Sequence, residues 1–154
     1  MDELIRLTGS YKFGVSREIV WPHIFDPKFL VDIIPGCESL DYTGEGEYTG
    51  KMRLGLAGIS GIYNTRILIV ESDPPRYCRY DGEVNGKSGL ISGEAKIYLS
   101  EDEDRCLIDY QANGIITGAL SHFNLRFIEG IAQTLIKHGL AKMDRKIFAA
   151  QYMD

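Results

Sequence analysis

Two stretches decide the fold: GLISGEAKIYL, Gly89–Leu99, and RCLIDYQANGII, Arg105–Ile116. Both alternate with a period of two, the mark of strands that bury one face. The core-facing set is Gly89, Ile91, Gly93, Ala95 and Ile97 on the first, and Cys106, Ile108, Tyr110, Ala112 and Gly114 on the second. Glycine and alanine therefore stand where a packed core calls for Val, Leu or Phe. Protein interiors are normally filled to crystal-like density. The pair predicts a sheet with an apolar cavity above it, unless Phe123, Phe127 or Tyr110 fills the gap.

The same period runs through most of the chain. Leu7, Gly9, Tyr11, Phe13 and Val15 share one face against Thr8, Ser10 and Lys12, and further strands are predicted at Glu38–Tyr42, Tyr48–Leu56, Ile62–Val70 and Arg76–Val84. Turns are expected at Gly44-Glu45-Gly46, Gly58–Gly61, Asp73-Pro74-Pro75 and the acidic run Glu101–Asp104. Ser16 caps a helix over Arg17–Phe25 that Pro22 should kink or shorten. Asp26-Pro27 opens a second short helix, ended by Pro35-Gly36, and Cys37 starts the next strand.

After Thr117-Gly118 the period changes to about 3.6. Ser121 is the predicted N-cap of one long helix, with Phe123, Phe127, Ile131, Leu135, Met143 and Ile147 as its apolar stripe. Gly130 and Gly139 interrupt it, each costing about 1 kcal/mol against alanine. One strand, two short helices, six strands and a closing helix give an α+β architecture: a curved antiparallel sheet wrapped round a helix.

The 154 residues suit one domain, 1–154. A net charge of −5 excludes a basic nucleic-acid footprint. No apolar run reaches the ~18 residues a membrane span requires, and MDELIRLTGSYKF is not a signal peptide. The expected location is the cytoplasm. Cys37, Cys78 and Cys106 form no C-x-x-C and have no histidine at metal-ligand spacing, so they are read as reduced, with no metal or cofactor expected.

Catalytic patterns are weak. Gly82–Ser88 has the wrong glycine spacing for a phosphate loop and joins strand to strand, so a hairpin turn is the better account. Ser121 and His122 are adjacent and point about 100° apart on a helix. His23, on a helix with Trp21 and Phe25, reads as an ordinary partly exposed histidine rather than a base, and His138, next to Gly139, reads as a surface residue in preference to one at a cavity mouth. Asp109, Gln111 and Asn113 face outward, and Arg53 and Arg66 fit an anchor for a polar ligand head and outward-facing solubility residues equally well.

The residues do resemble a known family. Thr8-Gly9-Ser10-Tyr11-x-Phe13, Val20-Trp21, Asp26-Pro27, Ile34-Pro35-Gly36-Cys37-Glu38-Ser39-Leu40, Asp73-Pro74-Pro75, Ser92-Gly93-Glu94-Ala95-Lys96-Ile97-x-Leu99 and Arg126-x-Ile128-x-Gly130-x-Ala132 are similar to the CoxG family, the G-subunits of carbon monoxide dehydrogenase. The resemblance runs from about Leu7 to Met143. It implies membership of the START/Bet v 1-like (SRPBCC) superfamily and its helix-grip fold: seven antiparallel strands gripping a long C-terminal helix around a hydrophobic cavity. It also implies a non-catalytic protein that binds a quinone- or lipid-like molecule, and association with a molybdenum CO dehydrogenase-type enzyme. A cyclase- or hydrolase-type enzyme of the same superfamily is a further alternative. Where the family reads Gly-Pro-Val-Lys-Gly, this sequence has Ala57-Gly58-Ile59-Ser60-Gly61, so a role tied to that proline or lysine does not carry over. Nor does the family's hydrophobic C-terminal anchor, since the sequence ends at Asp154.

The expected ligand walls are Leu54, Tyr63, Ile67, Ile91, Ala95, Tyr110, Ala112, Phe127, Ile131 and Leu135, with Phe29 and Leu30 as a lid. Ile62, Leu68 and Val70, on the outer face of their strand, are a candidate homodimer surface.

Overall fold

In the computed structural model, which describes residues 3–56, 59–122 and 124–152, each period-two segment is a strand. The strands are β1 (Glu3–Lys12), β2 (Cys37–Gly44), β3 (Glu47–Leu56), β4 (Ile59–Asp73), β5 (Tyr77–Gly86), β6 (Gly89–Asp102) and β7 (Arg105–Gly118). They form one antiparallel sheet in the order β1-β7-β6-β5-β4-β3-β2. Several strands outrun the sequence limits. Ile59–Gly61, expected in a turn, open β4, while Ala57 and Gly58 lie outside the described residues. Gly82–Gly86 complete β5, leaving Lys87-Ser88 as the turn. Glu101 and Asp102 extend β6, and Glu103 and Asp104 turn the chain with φ of 54° and 64°.

The helices follow their breakers. α1 (Arg17–Val20) gives way at Pro22 to a 3-10 turn over Trp21–Phe25, and the Ser16 side chain makes no capping bond. α2 (Pro27–Ile33) is capped by Asp26, whose carboxylate accepts the Lys28 N–H at 3.0 Å. The 3-10 turn leaves carbonyls without helical partners. Two phenols from the sheet supply them: Tyr80 donates to Ile24 O and Tyr48 to Phe25 O, each at 2.6 Å. After Pro35, Gly36 turns the corner at φ +75°, a conformation costly for any residue with a side chain.

α3 (Leu125–Tyr152) begins later than expected. Ser121 lies in a preceding 3-10 turn and donates to Gly118 O, while Asn124 Oδ1 caps α3 by accepting the Arg126 and Phe127 N–H groups. The helix crosses the concave face of the sheet and packs on α2 and β1. Its lower half buries Leu140, Met143 and Ile147 against Phe13, Val20 and Cys106.

The two helix glycines have opposite surroundings. A Cβ on Gly139 would fall on the Asp32 carbonyl of α2. Glycine there lets the helices touch, and the contact is fixed by Lys142 and Lys146, which pair with the Asp32 carboxylate at 3.0 and 2.9 Å. A Cβ on Gly130 would meet open space. Gly139→Ala should therefore destabilise by about 1–3 kcal/mol through overpacking. Gly130→Ala should stabilise by about 0.5–1 kcal/mol through helix propensity. Thermal denaturation of both variants, read by circular dichroism, should show Tm moving in opposite directions.

Candidate functional site

Strand register lines up the small residues seen in sequence. Across the inner face, Ile67 of β4, Gly82 of β5, Gly93 of β6 and Gly114 of β7 are successive partners, and the next row runs Tyr80, Ala95, Ala112, Leu7. Three glycines side by side, backed by two alanines, make a floor with almost no relief. Gly93 is compulsory: a Cβ there would collide with the Asn113 carbonyl.

Above Gly82, Ala95 and Ala112 is a cavity of about 260 Å³; Gly93 and Gly114 are not among its lining residues. α2 and its exit close it with Leu30, Ile33, Ile34 and Pro35; α3 roofs it with Ile136 and Leu140. Every lining residue is apolar except Tyr80 and Tyr110. The Tyr80 hydroxyl is already given to Ile24 O, and burial pushes its pKa far up, so it remains a neutral donor. A wider depression of about 480 Å³ lies around Asp41, Lys51, Arg66 and Glu83, but it is polar and open to solvent.

The expected wall residues divide. Leu30, Ile67, Ala95, Tyr110 and Ala112 line the cavity. Tyr110 does not fill it, because its ring lies over Gly9 of the neighbouring strand. Tyr63 and Ile91 belong to a second apolar cluster with Met52 and Ile116, and the Tyr63 ring covers Gly86. Phe29 packs on the core and meets His23 edge-on at 4.7 Å instead of reaching the cavity. Burial draws the His23 pKa down against the opposing effect of Asp26. The Leu54 side chain lies outside the described residues. Ile62 and Val70 are exposed on the outer face of β4, but Asn64 and the Glu47-paired Arg66 stand between them, so the candidate dimer surface is not a continuous apolar patch.

Phe127, Ile131 and Leu135 are corrected outright: they are 63, 39 and 42% exposed and point away from the cavity. Residues spaced by four precess about 40° per step around a helix, so the sequence stripe winds off the buried face. The true inner face is Glu129, Ile136, Leu140, Met143 and Ile147. It includes an acid because β1 ends the sheet, and its outer edge has no partner strand among the described residues. Glu129 accepts the Arg6 N–H at 2.6 Å, Gln133 donates to Thr8 O at 2.7 Å, and Asp144 accepts from Tyr11 Oη and Gly14 N–H, both at 2.9 Å. Polar residues facing inward on a helix give no apolar signal, so the walls that sequence reasoning misses are those the rotation selects, Ile136 and Leu140.

The three thiols are free. Burial pushes Cys78 and Cys106 up to about 12 and raises Cys37, so all three stay protonated. Among the described residues no group of three His, Cys, Asp or Glu side chains is placed to hold a metal ion, and no helix is long and apolar enough to cross a membrane.

Comparison with known proteins follows this geometry. The family model for the G-subunit of carbon monoxide dehydrogenase (CoxG) matches residues 9–148. No curated protein matches the chain. Among solved structures, a conserved protein of Geobacillus kaustophilus is 26% identical, with TM-score 0.83 over 95% of this chain and 97% of that one. A Thermus thermophilus protein is 11% identical, with TM-score 0.67 over 94% and 98% of the two chains. The Zhui aromatase/cyclase of a Streptomyces species is 14% identical, with TM-score 0.58 over 96% and 93%. The last two show the shared fold alone, the helix grip.

The edge tether has a pH signature. The Arg6 N–H, helped by Arg126 and opposed by burial, holds Glu129 below its ordinary value of 4.5. A lowered folded-state pKa gives stability that is complete above the unfolded value and lost as pH falls through the folded one. Urea midpoints should thus decline below about pH 4.5 in the wild type, and Glu129→Gln should remove part of that slope while lowering the midpoint at pH 7.

Proposed function

The chain belongs to the CoxG family of carbon monoxide dehydrogenase G-subunits, and on that premise we propose that it is a non-catalytic, cytoplasmic carrier. It holds a hydrophobic small molecule, lipid- or quinone-like, in the cavity between sheet and C-terminal helix. The observation that carries this reading is the floor: Gly82, Ala95 and Ala112, on three adjacent strands, leave a space above them that is lined by apolar side chains. A stability-optimised core would fill it, because each unfilled volume sacrifices dispersion and transfer energy. Burial of ligand surface returns about 25 cal/mol per Å². An apolar cavity of about 150 Å³ is known to admit benzene, so about 260 Å³ suits a bicyclic ring or a comparable stretch of hydrocarbon.

The family's description supports a second reading: an accessory protein that works with a CO dehydrogenase-type molybdenum enzyme. The two are compatible, since a carrier needs a recipient. Co-purification with such an enzyme is its test.

For the carrier, naphthalene is a sufficient probe. It should raise the wild-type Tm saturably, by several degrees once well above its Kd. Ala112→Leu puts three carbons onto the floor and should abolish the shift while leaving the unliganded Tm equal or higher. Absence of any shift with naphthalene, together with no apolar molecule in native mass spectra of the purified chain, would refute the reading.

A further inference from the structure

Of the residues that line the cavity, only Tyr80 and Tyr110 carry a polar side-chain atom, and none is charged. The Tyr80 hydroxyl is donated to Ile24 O at 2.6 Å. The Tyr110 hydroxyl lies over Gly9 of β1, where a Cβ would collide with it, and Gly9 is not a lining residue. Gly82, Ala95 and Ala112 sit on interior strands paired on both sides, so the ladders take their N–H and C=O groups.

Polar satisfaction among the wall residues has a consequence for what enters. Ligand sites usually combine apolar walls with a few convergent polar groups that orient the ligand. Here the side chains offer none. A hydroxyl or carbonyl carried into the space loses its water without gaining a partner, at a cost of about tenfold or more in affinity. A carboxylate would lose far more. The walls also differ in depth: Ile24, Tyr80, Ile108 and Leu140 are buried, whereas Ile33, Ile34 and Pro35, at the exit of α2, are half-buried.

We infer that the cavity takes a hydrocarbon segment of about ten carbons without hydrogen-bonding groups, and that the polar head of the bound molecule stays outside, at the exit of α2. The length follows from the volume: about 150 Å³ admits the ring of benzene, so about 260 Å³ corresponds to about ten carbons. A quinone- or lipid-like ligand is then recognised by its tail, and its ring or head group is free to differ. The inference rests on the carrier reading and adds which part of the ligand the site takes and how much of it.

Isomeric alcohols separate the position of the polar group from total hydrophobicity. In calorimetry on the wild type, 5-decanol should bind at least about tenfold more weakly than 1-decanol, because either its hydroxyl enters unpaired or only part of its chain enters. Decanoate, charged at the chain end, should bind about as tightly as 1-decanol. From 1-hexanol upward, affinity should rise about fourfold per carbon, then level off at about ten carbons. Ala95→Val and Ala112→Leu place two and three further carbons on the floor and should lower that plateau by about two and three carbons. Either variant suffices if its thermal melt remains cooperative. Equal affinity for the two decanols, a decanoate affinity at least about tenfold below that of 1-decanol, or a rise that continues through 1-tetradecanol overturns the inference. A saturable naphthalene shift in the same protein leaves the carrier reading standing. Failure of wild type to bind naphthalene and every alcohol overturns both.

Discussion

The rotation of α3 depends on one constraint: among the described residues the outer edge of β1 has no partner strand. An open edge presents unpaired N–H and C=O groups, and proteins protect such edges with covering elements. Here the cover is a helix that bonds to the edge through Glu129 and Gln133, while Asp144 holds the Tyr11 hydroxyl and the Gly14 N–H just past the strand's end. Those bonds set which way the helix faces. With Glu129 and Gln133 turned to β1, Ile136 and Leu140 meet the cavity and Phe127, Ile131 and Leu135 are left outside. Rolling the helix to bury the more apolar column would strand Arg6 N–H and Thr8 C=O, and a buried orphan costs about 1–3 kcal/mol.

Once α3 is fixed, the position of α2 follows. Gly139 admits the Asp32 carbonyl against the helix, and Lys142 and Lys146 close on the Asp32 carboxylate. Burial alone would raise the Asp32 pKa, but the two lysines outweigh it and hold it below the ordinary range. α2 is held in place by these contacts, and its Leu30 and Ile33 line the cavity opposite Gly82, Ala95 and Ala112. The cavity results from three separate choices: no side chains on the floor, a helix rotated by an edge, and a wedge held at a fixed height.

The strands are legible in the sequence because a period of two gives each face its own signal. Alternation locates all seven to within a few residues, and it names the inner faces of β6 and β7 correctly. The limits drift because β-branched and turn residues both fit strand ends, as at Ile59–Gly61. The long helix is legible as a helix but not in its rotation. Its inward face mixes Glu129 and Gln133 with Ile136, Leu140 and Met143, and apolar periodicity cannot register a carboxylate whose partner is a backbone amide 123 residues away. Ser121 passes for the cap for a similar reason. Asn124 serves equally well, and only the intervening 3-10 turn decides between them.

Polar accounting separates the structural parts of the inner face from the part that is left over. Tyr48 and Tyr80 are buried phenols, and each is used by a carbonyl that the 3-10 turn had orphaned. Burial lifts the Tyr48 pKa to about 12, so it stays a donor at any physiological pH. These two groups lock the 3-10 turn and the start of α2 onto the sheet, and their polarity is fully explained. Glu129, Gln133 and Asp144 are explained by the β1 edge. Among the described residues, Thr65 Oγ1 is the fully buried polar atom of this face that has no partner, and Thr65 is not among the residues that line the cavity.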